Sequence, residues 1–175
     1  MSYFILSQDE RIPDAIVPAG ISKIVHKDML TEARGSELDR LTLQFQVQQR
    51  DHIEYVDFIE RPIPLLSDKL KQLIARFLPR QKYRPVGIFD MIRMRQDVYW
   101  LMIPQRLNCL SPQSEFYRND TLKRLVIDRT RAGKAPLFQL DGIKETIIVV
   151  NLALAESILR RDFNGLKLKK IENEA

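Results

Sequence analysis

Apolar and polar residues alternate most cleanly over residues 41–48, where Leu41, Leu43, Phe45 and Val47 interleave with Thr42, Gln44, Gln46 and Gln48. A period of two buries one face and wets the other, so this segment predicts a strand in an antiparallel sheet with one solvated side. A different period governs residues 67–78. Leu70, Leu73, Ile74, Phe77 and Leu78 recur at helical spacing, and Pro79 ends the run. Pro62 and Pro64 exclude helix just upstream, Ser67 stands at the N-cap, and Asp68 places negative charge on the positive end of the helix dipole.

The same reasoning predicts strands over residues 3–6, 21–25, 122–129, 137–140, 145–150 and 166–171. A β-hairpin joins residues 83–94 to 98–104 around Arg95, Gln96 and Asp97. Both faces of residues 98–103 are apolar, which predicts a central strand with Trp100 in the core. Asn151 caps a second principal helix over residues 152–161, with Leu152, Ala155, Ile158 and Leu159 inward and Arg160 and Arg161 at its negative end. Residues 27–40 fit neither period. The Ile, Tyr, Val and Phe content of residues 51–60 favours a strand, but acids at every third position leave a helix open. Strands outnumber helices without alternating with them, so the fold class is α+β: a mostly antiparallel sheet with two principal helices in a single domain spanning residues 1–175.

Composition narrows the setting. The 175 residues are 45% hydrophobic and 29% charged, as in an ordinary soluble globular protein. No run approaches the ~20 apolar residues of a membrane helix, and residues 3–6 are too short for a signal-peptide core. Cys109 has no second cysteine to pair with, so a cytoplasmic protein without membrane contact is expected.

The net charge is +5 and is organised along the chain. Arg118, Lys123, Arg124, Arg129, Arg131 and Lys134 cluster against Asp120 and Asp128, whereas Asp51, Glu54, Asp57 and Glu60 occupy a stretch free of Lys and Arg. A charge run is more often a solvated face than a nucleic-acid footprint.

Catalytic signals are sparse. His26 and His52 with one cysteine do not make a common zinc site, and no P-loop, dinucleotide loop or G-x-S-x-G elbow occurs, so neither metal nor cofactor is expected. His52 beside Asp51 and Glu54 has the elements of an oriented base, yet a surface histidine is the commoner meaning. Cys109 lies among apolar residues and reads as core rather than nucleophile. Arg93, Arg95 and Tyr99 interleave charge with an aromatic ring, without any RRM, KH or helix-turn-helix signature.

Several segments, taken in order, carry a resemblance. They are Arg11-Ile12-Pro13-Asp14-Ala15, Pro62-Ile63-Pro64-Leu65-Leu66-Ser67-Asp68-Lys69-Leu70, Tyr99-Trp100-Leu101-Met102-Ile103-Pro104, Leu125-Val126-Ile127-Asp128-Arg129, and the closing run from Leu154 through Asn164-Gly165-Leu166. Together they resemble a family of bacterial immunity proteins from polymorphic toxin systems, formerly filed as a domain of unknown function. The resemblance implies a non-catalytic intracellular protein that binds and neutralises a cognate toxin domain. It transfers no active-site residues.

A basic blocker implies either an acidic target or docking through the local acids Asp51, Glu54, Asp57 and Glu60. The alternative is a nucleic-acid-associated module using Arg118, Lys123, Arg124, Arg129, Arg131 and Lys134.

Overall fold

In the computed structural model, which describes residues 1–174, the chain begins with β1 (Tyr3–Gln8), a short helix α1 (Gly35–Leu38) and the strands β2 (Gln44–Gln46), β3 (Phe58–Ile59) and β4 (Leu65–Leu66). Helix α2 (Asp68–Phe77) leads into β5 (Tyr83–Asp90) and β6 (Arg95–Met102), followed by β7 (Arg106–Leu107) and β8 (Glu115–Phe116). Next come β9 (Leu122–Arg124), β10 (Val126–Ile127), α3 (Arg129–Ala132), β11 (Leu137–Leu140) and β12 (Ile148–Asn151). Helix α4 (Leu152–Leu159), β13 (Leu166–Lys170) and β14 (Glu172–Asn173) complete the order. The fold is α+β and its strand pairs are mostly antiparallel. No helix among the described residues is long and apolar enough to cross a membrane.

The chain divides into two compact units. The first comprises Gln8–Ile103 with Phe163–Leu166, and its sheet has the order β2-β5-β6-β4-β3. The central strand β6 sends Tyr99 and Leu101 into a core shared with Ile16, Leu38, Phe45, Val56 and Ile63. Helix α2 lies against β4 and β6 and buries Leu70, Leu73 and Ile74. Its start follows the sequence: Ser67 is the N-cap, and its Oγ accepts from the Leu70 amide at 3.2 Å.

The second unit holds Met1–Ser7, Pro104–Asp162 and the chain from Lys167 onward. Its sheet runs β13-β1-β12-β11-β7, over a core of Tyr3, Cys109, Ile127, Phe138, Leu140 and Val149. Asn151 caps α4 by accepting from the Leu154 amide at 3.0 Å, and Arg161 donates to the Ser157 carbonyl at 2.7 Å, so both ends of this helix match their sequence signals.

Several expectations are corrected. The strand expected over residues 21–25 is instead a 3-10 turn at Ile21–Lys23: Ile21 and Val25, four apart, are buried while Ser22, Lys23 and Ile24 between them are exposed. Leu43, Phe45 and Val47 are buried as their alternation predicts, but β2 pairs parallel with β5. The buried stripe of α4 is Leu154, Ala155 and Ile158, which leaves Leu152 and Leu159 exposed. The run expected as a strand over residues 122–129 breaks at Leu125 and ends where Asp128 caps α3, its Oδ1 accepting from Thr130 at 2.9 Å. Trp100 is half-buried under α2: its Nε1 donates to Asp68 Oδ1 at 3.1 Å, and Lys71 Nζ sits 4.4 Å from its ring centroid.

Candidate functional site

The β5–β6 turn falls at residues 91–94, four positions earlier than the sequence places it, because Asp90 organises it. Aspartate suits the first position of a turn, since its side chain accepts from amides just ahead. Asp90 Oδ1 takes hydrogen bonds from the Ile92 and Arg93 amides, both at 3.0 Å, and from Gln49 Nε2 at 3.1 Å. Arg93 Nη1 closes on Asp90 Oδ2 at 2.8 Å. Through Nη2, Arg93 also donates to the carbonyls of Arg50 at 2.7 Å and Asp51 at 3.0 Å, tying the turn to the acidic segment. Met94 closes the turn at φ 51°, the left-handed conformation a non-glycine residue adopts only when its surroundings hold it there.

With its polar groups spent on internal bonds, the turn presents apolar side chains to solvent. Met91 is 62% exposed, Ile92 73% and Met94 84%. Beside them Arg95 lies over the Tyr55 ring, 3.4 Å from its centroid, and is bonded to Asp97 at 2.7 Å. The result is a rigid convex knob with an apolar tip and a charged collar. Exposed methionine and isoleucine clustered in this way are side chains that adaptable protein contacts use. Sequence reasoning missed these three residues by assigning them to a strand; the usable signal was Asp90 itself, followed by residues with no second alternation.

The clamp has a pH signature. Burial opposes ionisation of Asp90, but the bonds from Arg93 and Gln49 outweigh it and hold the carboxyl at about 2. Its folded value lies below the ordinary carboxylate value of about 3.9, so its contribution is complete above that pH and disappears as pH falls from about 4 to about 2. The Ile92 and Arg93 amide resonances should therefore titrate with a midpoint near the Asp90 value, about 2. Asp90→Asn should abolish that transition while leaving amides in the other unit unchanged.

The four acids proposed for docking separate. Asp51 is exposed at the base of the knob. Glu54 Oε1 accepts from Asn164 Nδ2 at 2.8 Å, and its other oxygen lies 3.4 Å from His52 Nε2. Glu60 accepts from the Gln8 amide at 3.2 Å. Asp57 is only 6% exposed and faces inward, with Oδ1 accepting from Ser67 Oγ at 2.6 Å and Oδ2 from the Asn164 amide at 2.7 Å. Residues 51–60 form neither a helix nor a continuous strand; only β3 and a single bridge from Glu54 to Ala15 are paired.

The six basic residues proposed for nucleic acid are all exposed. Lys123 and Arg124 lie 3.5 and 3.6 Å from Glu115, Arg124 reaches Glu172 at 2.5 Å, and Arg131 reaches Asp128 at 3.4 Å. Among the described residues Arg118, Arg129 and Lys134 have no carboxylate partner. Phe116 and Tyr117, 40% and 55% exposed, stand beside Arg118.

Cys109 is fully buried and burial pushes its thiol up to about 11, which leaves little thiolate for nucleophilic work. His52 is exposed beside Glu54. No group of three His, Cys, Asp or Glu among the described residues is placed to hold a metal ion. Compared with protein-family models, curated proteins and solved structures, the chain has no match.

Proposed function

We propose that this chain is a non-catalytic binding protein that neutralises a toxin domain by stoichiometric occlusion, inside the cell that produces it. The observation that carries the reading is the knob at residues 91–94: an apolar tip held rigid by Asp90 and Arg93, with Asp51 at its base. A convex preorganised tip seats in a concave cleft with little ordering cost, which is how an inhibitor blocks an active site without chemistry of its own. The basic net charge favours a target with acidic surroundings, and Asp51 supplies a local contact of the opposite sign for a basic one.

The test is an affinity pull-down of the tagged chain from nuclease-treated source-cell lysate, beside an Ile92→Asp/Met94→Asp variant. The expected result is one near-stoichiometric partner bound by the native chain and lost from the variant. The partner's terminal domain should be lethal when expressed alone and tolerated when co-expressed with this chain. A partner retained by the variant would exclude the knob, and a captured domain that stays lethal in the presence of this chain would exclude neutralisation.

A second reading rests on Phe116 and Tyr117 beside Arg118, which has no carboxylate partner among the described residues. Exposed rings next to a guanidinium suit stacking and phosphate contact on single-stranded nucleic acid. Recovery of nucleic acid without a protein partner from untreated lysate, with affinity falling steeply in salt, would favour it.

A further inference from the structure

The unit formed by Gln8–Ile103 and Phe163–Leu166 contains a cleft of about 340 Å³, away from the residues of the knob, between the segment carrying α1 and the approach to β5. Arg80, in the turn that follows α2, lines it together with Gln81, and Lys82 and Arg84 join them two positions apart where β5 begins. The intervening Tyr83 belongs elsewhere, with Lys71 Nζ 5.4 Å from its ring centroid. Arg84 is the fixed member of the set. Its side chain is 13% exposed and its Nε donates to Asp39 Oδ1 at 2.8 Å. The guanidinium packs closely against Gly35: a Cβ there would lie 3.0 Å from its Nη2.

Arg80 and Lys82 have no carboxylate partner among the described residues, although Glu32 and Asp39 line the same cleft. Asp39 is already spent on Arg84. Arg80 and Lys82 outnumber the remaining carboxylate, Glu32, and with the anchored guanidinium they make three cationic donors, which a phosphate group can meet with three oxygens where a carboxylate has two. Thr31 and Ser36 add hydroxyls, and Glu32 is an acceptor for hydroxyl groups on a ligand's body.

We propose that this cleft binds a hydroxyl-bearing phosphate monoester, with the phosphate held by Arg80, Lys82 and Arg84. The site is independent of the knob, so its failure and the failure of the binding reading are separable.

The test is an amide-resonance titration of the full chain with inorganic phosphate, and with acetate at matched ionic strength. Phosphate should give saturable shifts at Gly35, Ser36, Gln81 and Arg84, with acetate giving none. An Arg80→Gln/Lys82→Gln double variant, altered only at exposed positions, should bind phosphate about tenfold more weakly. Glu32→Gln should bind it more tightly, because a like charge leaves the cleft. Unsaturable phosphate shifts, equal shifts with acetate, or undiminished binding by the double variant would each overturn the site.

Discussion

Replacing Gly165 with alanine is expected to destabilise the protein by roughly 3 kcal/mol, the largest loss from adding a single methyl group. Gly165 has φ +76°, where an L side chain is strained, and its new Cβ would lie 2.3 Å from Val56 Cγ1 and 2.4 Å from Val56 Cβ. Val56 is 1% exposed and cannot swing aside. The Gly165 carbonyl also accepts from the Asp9 amide at 2.8 Å, which holds the backbone in place. Urea denaturation measures the effect, and Gly142→Ala is the control. Gly142 has φ +81° with nothing near its missing Cβ, so that variant should show the backbone term alone, about 1 kcal/mol. Val56→Ala should not rescue Gly165→Ala, because it retains the Cβ at 2.4 Å; similar losses at positions 142 and 165 would refute the steric argument.

That contact shows where sequence reading stops. The α2 helix is legible because everything that makes it is local: Ser67, Asp68, the apolar stripe and Pro79 fall within thirteen residues. Asn151 at the start of α4 and the alternation at Leu43, Phe45 and Val47 are local in the same sense. The segment from Ile21 to Val25 fails because β-branched residues favour a strand, whereas burial at positions four apart selected a turn. The parallel pairing of β2 with β5 depends on a chain crossing that no local pattern encodes.

The site divides along the same line. Acidic clustering marked residues 51–60, but the inward turn of Asp57 depends on Asn164, 107 positions away. The knob was hidden for a subtler reason. Met91, Ile92 and Met94 have the composition of a strand, and only the hydrogen bonds of Asp90 convert them to a tip.

The four acids should therefore give three different results in a charge-reversal series. Asp51→Lys is expected to change stability by no more than about 0.5 kcal/mol, since Asp51 is exposed and its side chain holds nothing in place. Glu54→Lys and Glu60→Lys each remove one internal bond, to Asn164 Nδ2 and to the Gln8 amide, and should cost about 1 kcal/mol. Asp57 is the outlier. Its two carboxylate oxygens join the cap of α2 to the Asn164 amide, and its own amide and carbonyl bond to Asn164 O and Ser67 N, each at 2.8 Å. Asp57→Asn deprives one of those partners of its acceptor and should cost about 2–4 kcal/mol; the lysine adds an unpaired buried charge and should lose more.

Partner binding must be measured on the variants that remain folded. If the knob and its base form the interface, Asp51→Lys will change the association rate and its dependence on salt while leaving the denaturation midpoint alone. Asp57→Asn will move the midpoint and change binding only in proportion to the unfolded fraction. An Asp57→Asn variant as stable as Asp51→Lys would contradict the inward-facing clamp, and an unchanged association rate for Asp51→Lys would remove Asp51 from the docking surface.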